Sequence, residues 1–127
     1  MSKAVRAAES ARLLLDAGDR DGACNRAYYA MFDAARAALL ASGAPVEAEV
    51  TRTHGGLIST FSLHLVKTGK IDVEQGRALN RAEEISLVAD YKGDSVNQTH
   101  AEWVVARAES FVRVIGKTFL PDFPLSW

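Results

Sequence analysis

A chain of 127 residues, 48% hydrophobic and 24% charged, has the size of one domain and enough apolar side chain to form a core without disulfides or metals. Its 15 basic and 16 acidic residues leave a net charge of −1, which excludes a uniformly basic nucleic-acid binder but not a local basic site. Cys24 is the single cysteine, so an internal disulfide and a cysteine-based zinc site are both excluded. No apolar run nears the ~20 residues of a membrane span. The opening "MSKAVRAAESARLLLDAG" carries Glu9 and Asp16 where a signal peptide has an unbroken apolar centre. The expected location is a reducing cytoplasm, away from any membrane.

Five helices are expected in chain order, with no competing strand pattern. The first spans about Ser2 to Ala17, with a stripe of Ala4, Ala8, Ala11 and Leu15, and ends at Gly18. The second starts near Asp19 and stops at Gly43-Ala44-Pro45. Residues 45 to 52, "PVEAEVTR", form a loop or short turn. The third runs from near Thr53 to about Thr68, with Ile58, Phe61 and Leu65 on one face. The fourth begins at Asp72, with Gln75 spaced to complete a capping box, and reaches about Tyr91. After "KGDS" the fifth begins near Asn97 and carries Val104, Ala108, Phe111, Ile115 and Phe119. Short connections between long helices predict an all-α, up-and-down bundle over residues 1–120. Residues 121–127, "PDFPLSW", form a Pro/aromatic tail that either folds back over the bundle or docks on a second subunit.

The second helix holds the most informative stretch, "NRAYYAMFDAAR". At ~100° per residue, Cys24, Tyr28, Met31, Phe32, Ala35 and Leu39 share a core face. Nearly opposite lie Gly22, Arg26, Ala30, Asp33 and Ala37, with Tyr29 and Arg36 at the edge. A solvated face ordinarily carries long flexible side chains. Small residues beside charge point to a close backbone or a ligand.

"GDRDGACNRAYYAMFDAARAALLASG", followed by "THGGLISTF", "KTGKID" and "ADY", resembles the HEPN family of small helical-bundle proteins, from the first helix to about Phe119. The resemblance implies a dimeric protein of a toxin–antitoxin or defence system, RNA as the target, metal-independent cleavage in the active members, and a small nucleotidyltransferase as partner. It also implies an arginine followed four to six residues later by a histidine on one helix, two such pairs meeting in the dimer. That chemistry needs a base near neutral pH and a cation for the charge developing on phosphate; histidine titrates in that range and arginine offers a permanent fork of donors. Arg26 matches the arginine. Asp33 stands where the resemblance implies histidine, and an aspartate in water titrates near ~3.9 and repels phosphate. None of His54, His64 and His100 has an arginine four to six residues before it. Ser86 stands where the resemblance implies an arginine, four residues before Asp90.

Three functions are therefore in play: an RNA-associated protein with weakened or lost cleavage, an active ribonuclease using Arg26 with Asp33, Tyr29 or His54, and a non-enzymatic subunit that binds a nucleotide or a nucleotidyltransferase. Arg26 and Asp33 lie ~10.5 Å apart along the helix axis, too far to pair within one chain. Two helices meeting antiparallel about Tyr29 and Ala30 would place each arginine against the other copy's aspartate. Asp33 pairing with Arg36 on the surface is the simpler alternative. Asn25, Tyr29, Arg36, His54, Asp90 and Tyr91 complete the expected substrate or interface set, with Asp90 and Tyr91 near the arginine as the resemblance implies. His54 opens the third helix in "TRTHGG", where it and Arg52 either hold a phosphate or leave Gly55 and Gly56 to admit a crossing helix that His54 bonds. No P-loop follows these glycines, and no His–carboxylate pair has metal-site spacing, so neither cofactor nor metal is expected. Trp103 is expected to pack, and His64 and His100 to lie at the surface or at caps.

Overall fold

The computed structural model describes residues 1–91 and 96–127, and the side chains of Asp90 and Tyr91 lie outside the described residues. Its helices are α1 (Ser2–Asp16), α2 (Arg20–Ser42), α3 (His54–Phe61), α4 (Val73–Tyr91) and α5 (Gln98–Phe119), with a 3₁₀ turn, Val50–Arg52, leading into α3. The five-helix all-α bundle expected from periodicity is what forms, and no strand occurs among the described residues.

Sequence signals set most of the boundaries. Asp19 caps α2, its side chain accepting the Gly22 N–H at 2.9 Å. Gly43 ends that helix at φ 73°, a left-handed conformation that side chains resist. Thr53 caps α3 through the Gly56 N–H at 3.0 Å, and Asn97 caps α5 through the His100 N–H at 2.7 Å. Beyond Phe61 the third helix widens into a π turn, Ser62–Val66, where the Lys67 N–H reaches five residues back to the Ser62 carbonyl at 2.8 Å. The expected capping box at Asp72 is not made. Asp72 instead accepts the Glu74 N–H at 2.9 Å, and the Gln75 side chain turns to Arg107 at 3.5 Å.

Helix α2 is the axis of the bundle and touches each of the other four helices. It is therefore buried on more than one side. Ala23, Ala27, Ala30, Ala34 and Ala38 are fully buried, as are Ala4, Ala7 and Ala11 on α1. One-carbon side chains on both partners bring the α1 and α2 backbones close. Small residues beside charge are expected to admit a close backbone or a ligand; Ala30 is fully buried within the chain itself, so it admits neighbours of its own bundle and not a second copy. Larger side chains fill the remaining core, with the Phe61 and Phe111 rings 5.7 Å apart.

Polar ties fix the ends. Arg12 on α1 forks onto both carboxylate oxygens of Glu109 on α5, at 2.6 and 3.1 Å. Asp21 accepts the Val96 N–H at 2.8 Å, which holds the approach to α5 against the start of α2. After α5 the chain turns back: Leu125 and Met1 both lie against Gly116, and the Trp127 ring sits 5.8 Å from the Arg113 guanidinium. Trp103, expected to pack, is 38% exposed.

Candidate functional site

Residues one and four apart on α2 put Tyr28, Tyr29 and Phe32 on adjoining sides of one helical turn. His54, in the first turn of α3, closes the group from across the bundle. All six pairings of these four rings have centroids between 5.4 and 6.2 Å apart. The Tyr28 hydroxyl and His54 Nδ1 are 2.6 Å apart, a short hydrogen bond that fixes the imidazole. So His54 does bond a neighbouring helix, as one of the two sequence readings expects.

The glycines beside it have a different reason from the one expected. A Cβ at Gly56 would collide with the Val50 carbonyl oxygen and press on the capping hydroxyl of Thr53, both in its own entry turn. A Cβ at Gly55 would meet nothing within 4 Å. Neither glycine makes way for a crossing helix.

Burial first, then the negative charge of Glu83 and the neighbouring Tyr29, pushes the Tyr28 phenol well above its ordinary value. Tyr28 thus keeps its proton. Its hydroxyl either donates to Nδ1 of His54 or accepts from Nδ1–H, according to the imidazole tautomer. Either arrangement holds the ring in place.

Two recesses adjoin at this cluster. One, about 300 Å³, is lined by Tyr28, Tyr29, His54, Gly55, Glu83, Ser86 and Leu87. The other, about 440 Å³, runs between α1 and α2 and is lined by Lys3, Arg6, Arg26, Tyr29, Phe32 and Asp33. Tyr29 belongs to both. Arg26 is exposed and Asp33 half-buried, and among the described residues neither takes part in an ion pair. The surface pair of Asp33 with Arg36 is not formed. Arg36 instead donates to the Thr51 carbonyl at 3.1 Å and lies 5.3 Å over the Phe32 ring. Ser86, which lines the first recess, is buried and lies 3.5 Å from the Asn25 carboxamide oxygen. Arg52, the second half of the conceivable phosphate site, lines a separate, largely apolar recess with Arg36, Leu39 and Leu40. Asp90 and Tyr91 end α4, and their side chains lie outside the described residues.

The structure therefore joins Arg26, Tyr29, Asp33 and His54 along one surface and adds Lys3, Arg6 and Glu83, which sequence reasoning missed. Lys3 and Arg6 are three apart on α1, a spacing that marks a shared face but not the neighbour it meets.

A HEPN domain model matches residues 1–118. The chain belongs to the HEPN domain family. Among its relatives, the UPF0332 protein glr0978 of Gloeobacter violaceus is 34% identical over 116 residues, covering 90% of this chain and 88% of that protein. A UPF0332 protein of Thermotoga maritima is 35% identical over 112 residues, 86% of this chain and 80% of the relative. A protein of Methanocaldococcus jannaschii named "Putative toxin MJ0605" is 35% identical over 92 residues, 72% of this chain and 65% of its own. The HEPN match spans every element that builds the aromatic cluster. No helix among the described residues is long and apolar enough to cross a membrane.

Proposed function

We propose that this HEPN protein is the RNA-associated component of a toxin–antitoxin or defence system, homodimeric through α2, with its ribonuclease activity weakened or lost. The observation that carries this reading is the groove in which Lys3, Arg6 and Arg26 converge beside Asp33. Three cations in one recess suit a phosphodiester backbone. A carboxylate among them is a poor substitute for the base that must take the 2′-hydroxyl proton, and it opposes the charge that builds on phosphate in the transition state. The groove binds, and it lacks the group that would cut.

One observation favours an active enzyme instead. His54 is exposed, oriented by Tyr28, and connected to the Arg26 groove through Tyr29. An RNA degradation assay in EDTA separates the two readings. Under the first, the native chain cleaves weakly or not at all, Asp33→His creates or sharply raises cleavage, and His54→Ala changes nothing. Efficient cleavage by the native chain that is abolished by both His54→Ala and Arg26→Ala establishes the second reading and removes the first.

A further inference from the structure

The two recesses that meet at Tyr29 have opposite characters. The groove is cationic, through Lys3, Arg6 and Arg26. The other is walled by tyrosine and imidazole rings, and its charged member is the carboxylate of Glu83, half-buried beside the Tyr28 phenol. At about 300 Å³ it stands at the small end of ligand pockets. Gly55 on its lining has open space where a Cβ would stand, its own helix apart. A matching ligand has a flat body with π faces, N–H donors on its edge for the carboxylate, and an anionic chain that leaves past Tyr29 towards the cations. An acidic peptide fails the first recess, and a simple inorganic anion leaves it empty. A nucleotide within a single strand satisfies both, because single-stranded bases are free to stack on aromatic rings while the backbone follows a basic track.

We propose that the Tyr28–Tyr29–His54 recess is a subsite for one base of single-stranded RNA, and that Glu83 selects a base carrying an exocyclic amino group. The proposal deepens the RNA-associated reading and rests on it. Glu83 accepts from the N4 amino group of cytosine or the N6 amino group of adenine. Uracil presents O4 at the corresponding position, and two acceptors then face each other. Ser86, buried in the lining of the recess, adds a hydroxyl able to donate or accept.

The test is fluorescence anisotropy with labelled ten-nucleotide rC, rA and rU homopolymers on the full chain. The expected result is binding of rC and rA about five- to tenfold tighter than rU. Glu83→Gln, whose amide both donates and accepts, should bring the three within about twofold, whereas Arg26→Ala should weaken all three alike. Equal binding of the three by the native chain overturns the subsite and leaves the RNA-associated reading standing. A preference that survives Glu83→Gln overturns the role of that residue. CMP or AMP competing as strongly as the ten-mers assigns the recess to free nucleotides and overturns the proposal. If no homopolymer binds, the RNA-associated reading itself falls.

Discussion

Tyr28 and Cys24 sit one helical turn apart on α2, and burial has made both hold their protons. For Tyr28 the consequence is positional. Replacing it with phenylalanine keeps the ring in the aromatic cluster and removes the partner of His54 Nδ1. Tyr28→Phe is expected to cost about 1 kcal/mol of stability, the usual net worth of one hydrogen bond, and to free the His54 ring. Urea titration measures the first effect and the side-chain nitrogen NMR signals of His54 the second. An unchanged His54 spectrum would show that the bond does not hold the ring. For Cys24 the consequence is alkaline. Burial first, and Asp21 second, pushes the thiol up to about 11 from an ordinary 9.0. Above pH 9 the unfolded chain releases this proton while the folded chain keeps it, so stability falls as pH rises from 9 towards 11. The loss at pH 10 is on the order of 1 kcal/mol. Urea midpoints of native protein and Cys24→Ala at pH 8 and pH 10 check this: the drop between the two pH values should be smaller in the variant, and equal drops would remove the thiol as the cause.

At the scale of the element, helix boundaries were legible because caps are local chemistry. Asp19, Gly43, Thr53 and Asn97 act as their side chains and positions predict. What failed was whatever depended on a neighbour. Gln75 had the right spacing for a capping box, but Arg107 of α5 offered its side chain another partner. Ala30 read as a place for a second copy or a ligand because a helical wheel divides a helix into one core face and one opposite face, whereas α2 has neighbours on several sides. Alanine is compatible with either environment and so carries no signal of its own. The difference is measurable. Ala30→Leu, at a site with 0% exposure, should destabilise the protein by about 1–3 kcal/mol through overpacking. Ala37→Leu, seven residues further along the same stripe and half-buried, should stay within about 0.5 kcal/mol. Thermal or urea unfolding of the two variants side by side gives the comparison; equal costs would mean that Ala30 is not tightly enclosed.

At the scale of the whole molecule, a net charge of −1 conceals a local concentration of cations. Arg26, Tyr29 and His54 were legible from the second helix and the start of the third. Lys3, Arg6 and Glu83 were not, since they belong to the site only because α1 and α4 pack against α2. The same groove bears on assembly. Arg26 has no ion-pair partner among the described residues. An antiparallel meeting of two α2 helices would pair it with the aspartate at position 33 of the second copy, twice by symmetry. This use does not exclude phosphate binding, because a guanidinium has five N–H donors and a carboxylate occupies one edge. Burial of Ala30 within its own chain means that the contact would rest on Tyr29, Arg26 and Asp33 more than on close backbones. Charge exchange tests it more sharply than deletion. The native chain should sediment as a dimer. Arg26→Glu, which sets two pairs of carboxylates against each other, should shift it to monomer, and adding Asp33→Arg should restore the dimer. Recovery in the double variant is what distinguishes reciprocal ion pairs from general damage to the helix. A native chain that stays monomeric at every concentration, or a double variant no better than the single one, would leave Arg26 to the RNA backbone alone.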